Sequence, residues 1–273
     1  MIAGPALLDA AMGTALQARG LPPQALPEEW ILSRPEEVAA VHASHASAGA
    51  RVLLTCTFNC TEPRLATRGI EGRLEALCGW AERLARAAGR AVLVAGAVGP
   101  TGLARPGRPG PDESEFLAHY GRPLRALRDS GVDLLWIESQ YQAGEARAAL
   151  RAARQTGLPA VVTMTFSERG GRLVTPEGEP ADACLEALAA DGAAAVGVNC
   201  VEAGLALVAL ARDLVPRLAV PLVLKPSAGL PGALLPPAAF AAALAPAAAA
   251  GVRLLGGCCG TTAAHLRALR SIL

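Results

Sequence analysis

Eight short, almost wholly apolar runs recur along this 273-residue chain, each closing on a polar or glycine-rich cluster. They are "PALLDAAM", "ARVLLTCTF", "RAVLVAGAVG", "VDLLWIES", "PAVVTMTF", "AAAVGVNC", "PLVLKPSA" and "VRLLGGCC". Apolar residues at consecutive positions, rather than alternate ones, suit strands buried on both faces, as in a parallel sheet covered on both sides. Between the runs lie segments of helical spacing rich in alanine, leucine and arginine, such as "PEEVAAVHASHASAG", "GRLEALCGWAERLARAAG" and "AGEARAALRAARQTG". Several end in glycine, a common helix stop. Parallel neighbours need a crossover, and each interval has room for one helix. Eight such units predict an α/β chain folded as a single (β/α)8 TIM barrel, one domain over residues 1–273, with a doubly wound open sheet as the alternative.

Composition narrows the class. At 52% apolar residues the chain can fill a large core, and a net charge of +1 with mixed signs leaves no electrostatic footprint for nucleic acid or an acidic membrane. Aromatic residues are 3%, too few for base-stacking platforms. The longest apolar stretches, such as "FAAALAPAAAAGV", are broken by proline or glycine before the roughly 20 residues of a membrane span. No secretory signal is visible in "MIAGPALLDAAMG", and seven cysteines, an odd number, argue for reduced thiols and a cytoplasmic setting.

Placed on the barrel, the reactive side chains gather at one rim. Asp9 closes the first run; Thr55, Cys56 and Thr57 close the second; Glu138 the fourth; Asn199 and Cys200 the sixth; Cys258 and Cys259 the eighth. In a barrel the C-terminal ends of the strands carry the active site. Cys200, Cys258 and Cys259 can meet there. Three thiolates with an open fourth position form the pattern of a catalytic zinc site, whereas a structural site is usually closed by four ligands. The competing reading is that these are small buried hydrophobes, the reading preferred for Cys78 and Cys184 on helices. Cys56, on the rim, admits either. His42, His45 and His265 lie on helices and need no catalytic role, His265 being read as a surface or capping residue. Two long loops, "LARPGRPGPDES" and "SERGGRLVTPEGEP", are expected to lie over the same rim.

Several of these segments resemble the homocysteine S-methyltransferase family, which includes betaine–homocysteine methyltransferases and the homocysteine-binding module of cobalamin-dependent methionine synthases. "LLDAAMGTALQARG" looks like the family's opening LLDGAMGTELxxRG, "LLTCTFNC" like its TNTF segment, and "VAGAVGPTG" like GxxGPTG. "WIESQ" is similar to an ET-type strand end, "VGVNC" to GxNC and "LLGGCCGTT" to GGCCGT, the most specific of the set. Departures fall at Ala10 (usually glycine), Ala15 (usually glutamate), Cys56 (asparagine in TNTF) and Ala263 (commonly proline). They touch the amino-acid pocket and spare the three cysteines and both carboxylates.

The resemblance implies zinc held by Cys200, Cys258 and Cys259, with Asp9 and Glu138 on the α-ammonium of homocysteine. It implies Thr55 and Thr57 beside the substrate's carboxylate end, and Asn199 orienting a ligand. The small-molecule substrates would be homocysteine and a methyl donor, and the product methionine. A free thiol has a pKa of about 8.5, so metal coordination would supply the thiolate at neutral pH. The favoured donor is a sulfonium, S-methylmethionine or S-adenosylmethionine. Methylcobalamin would require a separate cobalamin-binding protein as partner, and betaine an aromatic cage that this composition hardly supplies. A non-catalytic zinc or thiol redox protein is the rival from another class; it does not predict carboxylates beside the thiols.

Overall fold

A computed structural model describes residues 4–104, 111–229 and 233–273. In chain order the strands are β1 (Ala6–Leu7), β2 (Val52–Leu54), β3 (Leu93–Val98), β4 (Leu134–Gln140), β5 (Ala160–Met164), β6 (Ser167–Arg169), β7 (Arg172–Val174), β8 (Ala195–Glu202), β9 (Leu222–Ser227) and β10 (Leu254–Leu255). Strands β6 and β7 pair as a separate antiparallel hairpin. The other eight form one parallel sheet in the order β1-β10-β9-β8-β5-β4-β3-β2. A parallel bridge from Leu8 to Val52 joins its two ends, and Arg51 N donates to Leu7 O at 2.7 Å. An open doubly wound sheet would leave those ends apart; here the fold is the (β/α)8 barrel that the eight runs predict.

Why the runs are continuous is visible in the packing. Alternate residues serve different cores. Leu8, Leu54, Ala97, Trp136 and Val223 fill the barrel's interior. Leu7, Leu53, Val98, Ile137 and Leu224 face outward. They meet the main crossover helices Pro35–Ser47, Leu74–Arg86, Glu113–Asp129, Ala143–Arg154, Ala181–Ala190, Leu205–Leu214, Pro237–Ala249 and Ala263–Arg270. Both faces are apolar, so no polar alternation survives. Among the described residues no helix is long and apolar enough to cross a membrane.

Strands β1 and β10 hold only two residues each, shorter than their apolar runs. Beyond Leu255 the chain is still tethered on both sides, by Gly256 N to Leu224 O and Gly257 N to Asp9 O, both 3.0 Å. The regular ladder stops, but the backbone stays fixed against its neighbours and carries the next residues onto the rim.

His265 is a cap, one of the two roles read from the sequence, but it is buried rather than at the surface. Its Nδ1 accepts from Thr262 N (3.1 Å), closing a capping box at the start of the last helix. His42 and His45 also turn inward, and neither ring nitrogen of His42 has a partner among the described residues. Burial pulls the His42 pKa down to about 4; Asp9 opposes this and His45 adds to it. A base depressed in this way leaves stability intact above its unfolded value of about 6.5. As pH falls from there toward 4, the unfolded chain binds a proton that the folded one refuses, and stability is lost. The full displacement corresponds to about 3 kcal/mol. Urea midpoints at pH 7.5 and 4.5 are expected to differ less in His42→Leu than in the wild type. An identical difference in both would remove His42 from the account.

Candidate active site

The three cysteines of the rim come together. The sulfurs of Cys200, Cys258 and Cys259 all lie within 4.8 Å of one another, with Cys200 Sγ and Cys258 Sγ 2.7 Å apart. Local backbone features aim them. Cys200 has φ 59°, and the β8–β9 register shifts between Asn199 and Glu202. Ser139 has φ 58°, and the β4–β5 register shifts between Ile137 and Gln140. A non-glycine residue held left-handed at a bulge re-aims its side chain at an energetic cost, a device concentrated at functional sites. Asn199 ties the two bulges together. Its Oδ1 accepts from Ser139 N (3.1 Å), and its Nδ2 donates to Ser139 Oγ (2.5 Å) and to Cys200 Sγ (3.4 Å).

The glycine pair before Cys258 reflects close approach. A Cβ on Gly256 would lie 2.7 Å from Leu8 Cβ and 2.8 Å from Asp9 O, and one on Gly257 would lie 2.4 Å from Thr261 Oγ1. Thr261 in turn donates to Cys258 O (2.6 Å), and Cys258 N donates to Pro226 O (2.8 Å). The motif packs this rim segment against β1 and β9 and leaves the two thiols pointing to one side.

Electrostatically the cluster suits a cation. Hydrogen bonds from Cys200 and Cys258 pull the Cys259 thiol down to about 3, while the same contacts and burial push Cys258 well up. Three sulfurs crowded within 4.8 Å of one another are a donor set that suits a soft divalent metal. Tetrahedral zinc–thiolate bonds of about 2.3 Å put sulfurs roughly 3.8 Å apart, within the spread seen here. The donor set therefore fits a soft metal, with Cys200, Cys258 and Cys259 holding it and a fourth side facing the cavity.

That cavity, of about 280 Å³, is lined by the three cysteines, by Asp9, Glu138 and Lys225, by Glu28 and Asn59, by Thr55 and Cys56, and by an apolar wall of Met12, Pro27 and Phe58. Asp9 is buried with both oxygens engaged: Oδ2 accepts from Leu54 N (2.8 Å) and Oδ1 from Lys225 Nζ (2.6 Å). Glu138 Oε1 lies 3.9 Å from the same ammonium, and 14% of the Glu138 side chain is exposed, at the cavity. Burial pushes the Glu138 carboxyl up and Lys225 restrains it. Burial also opposes the charge on Lys225, but Asp9 and Glu138 outweigh it and raise its pKa.

The remaining rim residues divide. Thr55 lines the cavity, but its hydroxyl accepts from Ala97 N (2.9 Å) and meets Thr57 Oγ1 at 2.5 Å. Thr57 is fully buried and donates to Ala97 O (2.7 Å). The pair braces the end of β2 against β3. Cys56 is a cavity wall whose thiol burial and Glu28 hold protonated; it stands outside the metal-binding set. Cys78 and Cys184 are buried on helices, as read from the sequence.

Three site residues escaped the sequence reading. Lys225 passed as part of a strand, although a lysine inside an apolar run is itself a signal. Glu28 is fully buried, and its carboxylate accepts from Asn59 N (2.7 Å) and Nδ2 (3.1 Å). Ser139 left no sequence signal. The expected loop cover also differs. Within "LARPGRPGPDES", residues 105–110 lie outside the described residues. "SERGGRLVTPEGEP" forms the β6–β7 hairpin and contributes nothing to the cavity wall, which is built from residues 9–14, 27–28, 54–56 and 58–59 among others.

Known proteins resemble this chain in sequence and fold. The profile described as homocysteine S-methyltransferase matches residues 6–273. The Escherichia coli homocysteine S-methyltransferase is 32% identical over 300 residues, covering 97% of this chain and 94% of the relative. Mouse S-methylmethionine–homocysteine S-methyltransferase is 32% identical over 172 residues, 63% of this chain and 45% of its own length. The crystal structure of the E. coli homocysteine methyltransferase MmuM in its metallated form superposes with a TM-score of 0.83 at 30% identity, covering 98% of this chain and 96% of that one. On the extent of these matches, the chain belongs to the homocysteine S-methyltransferase family.

Proposed function

We propose that this protein is a zinc-dependent enzyme that moves a methyl group from a sulfonium donor, S-methylmethionine or S-adenosylmethionine, to the thiol of homocysteine, giving methionine. The observation that carries this reading is the cluster of three sulfurs opening onto a cavity walled by carboxylates. Zinc bound there would lower the thiol's pKa and supply a thiolate at neutral pH.

The chain's own residues do the rest. Cys200, Cys258 and Cys259 hold the metal, and Asn199 fixes the Cys200 sulfur through its 3.4 Å contact. Glu138 receives the acceptor's α-ammonium. Asp9, paired to Lys225 and to Leu54 N, fixes the electrostatic floor beneath it. Thr55 shapes the end of β2, where the acceptor's carboxylate would lie. Met12, Pro27 and Phe58 keep water from the reacting atoms and leave room for the donor. The acceptor sulfur forms a bond to the methyl carbon as the donor's sulfonium–methyl bond breaks; the donor leaves as a neutral thioether and the thiol proton goes to solvent. Most of the barrier reduction then comes from positioning.

Two observations support a sulfonium donor. The mouse relative is named for S-methylmethionine. Phe58 is the only aromatic side chain on the cavity wall among the described residues, and one ring makes no cage for betaine. Seven free cysteines suit a cytoplasmic, reducing setting.

Metal-loaded protein given homocysteine and either sulfonium donor is expected to form methionine. Turnover only with methylcobalamin or a cobalamin-binding partner would reassign the donor. No methionine from any of these methyl donors would return the protein to the thiol-redox class.

A further inference from the structure

Lys225 stands beside Asp9 and Glu138, the two carboxylates on which the family resemblance places the acceptor's α-ammonium. Its side chain is 2% exposed, and its Nζ lies 2.6 Å from Asp9 Oδ1, 3.9 Å from Glu138 Oε1 and 5.5 Å from the Trp136 ring centre. The ammonium is built into the floor of the cavity, not reaching in from its edge. Register explains why: Lys225 pairs with Asn199 across β9 and β8, so it shares the level of the strand-end residues that make the rim.

The charge count follows. Asp9, Glu138 and Lys225 together carry minus one, so one incoming ammonium makes the cluster neutral. Without the lysine the two carboxylates would carry minus two and could share that ammonium. With it, Asp9 has no unspent charge: one oxygen holds Lys225 and the other holds the Leu54 amide. A second ammonium placed on Asp9 would also meet the first at short range in a site shielded from water, where like charges repel strongly. Glu138, open to the cavity and with no hydrogen bond of its own among the described contacts, is the carboxylate left for substrate.

We propose that Lys225 is a specificity-determining residue of the acceptor site: by neutralising Asp9 it reduces α-ammonium recognition to one contact, with Glu138, so that the site also takes thiol acids lacking an α-ammonium. This rests on the homocysteine reading of the site. The substrate class is a short ω-thiol carboxylate, of which homocysteine is the amino-bearing member and 4-mercaptobutanoate the des-amino analogue. When that analogue binds, Lys225 remains to accompany Glu138, so no pair of unbalanced carboxylates is left beneath it.

The test is calorimetric titration of zinc-loaded protein with each of these two thiols. One charged hydrogen bond predicts a preference for homocysteine of about ten- to a hundredfold in the wild type. Lys225→Met frees Asp9 and is expected to widen the preference at least about tenfold further. That variant leaves a buried carboxylate unpaired, so a second arm avoids it: Glu138→Gln, with Lys225 intact, is expected to bring the preference to near unity. A preference that stays above about tenfold in Glu138→Gln would show that Asp9 shares the ammonium and would overturn the proposal. So would an unchanged preference in a folded Lys225→Met protein. If neither thiol binds the wild type, the acceptor reading itself falls and this inference falls with it, an outcome distinct from an altered ratio.

Discussion

Cys258→Ala protein is expected to purify folded, to carry less than about a tenth of the wild-type zinc, and to form methionine about a thousandfold more slowly. The wild type is expected to hold about one zinc per chain. The expectation for the variant has three parts, the lost metal, the slowed reaction and the retained fold, with different physical origins. Loss of metal follows because two remaining thiolates cannot complete a three-ligand site. At neutral pH an unassisted thiol is only a few per cent ionised, and the acceptor also loses its anchor, so ionisation and positioning are lost together. Retention of fold follows from where Cys258 sits. The barrel ladder ends at Leu255, the Cys258 side chain is only partly buried, and its backbone amide stays bonded to Pro226 O. Elemental analysis, circular dichroism and the methionine assay read the three parts separately. A folded Cys258→Ala protein with a full zinc complement would remove this sulfur from the site.

Gly197→Ala is expected to leave no native protein, or to lower the melting temperature by about 10 °C or more. Gly197 lies in the middle of β8, and a Cβ there would sit 2.0 Å from Val223 O and 2.5 Å from Val223 Cβ. Ordinary overpacking costs about 1–3 kcal/mol because side chains can shift. Here the obstacle is the backbone of β9, which cannot move alone, so the cost should exceed about 4 kcal/mol, in the range reserved for severe lesions. At about 2–4 °C per kcal/mol for a chain of this size, that gives the stated drop. The same two strands deliver Asn199, Cys200 and Lys225, so any survivor should also bind zinc poorly. Wild-type melting and metal content in Gly197→Ala would contradict the close packing of β8 on β9.

The barrel was legible because of a physical regularity. Strands covered on both faces must be apolar at every position, and where a run ends the first polar residue stands on a rim. That placed Asp9, Glu138, Asn199 and the three cysteines at one end, and the GGCC motif, resembling a known family's, singled out the thiols that could hold a metal. What stayed hidden depends on contacts distant in sequence or on backbone conformation. Lys225 and Asp9 are 216 residues apart, and nothing local marks them as a pair. The left-handed backbone at Ser139 and Cys200 could not be read, because glycine, the usual marker, is at neither position. Glu28 comes from a loop, and only the fold brings it to Asn59. Thr57 is also settled only by the fold: its hydroxyl, at the end of a run, donates to Ala97 O inside the barrel wall. The "SERGGRLVTPEGEP" segment was legible as a long loop but not as a hairpin that stays off the cavity, since nothing in its sequence fixes the direction in which it packs.

The central claim is that the acceptor's thiol is bound at the metal held by Cys200, Cys258 and Cys259. Zinc K-edge X-ray absorption on zinc-loaded protein, before and after adding selenohomocysteine, tests it directly. The account predicts a sulfur-dominated shell in the free protein and a new selenium scatterer at bonding distance once the selenol is added. A shell unchanged by a selenol that calorimetry shows to be bound would contradict it, because the acceptor would then occupy the cavity without meeting the metal.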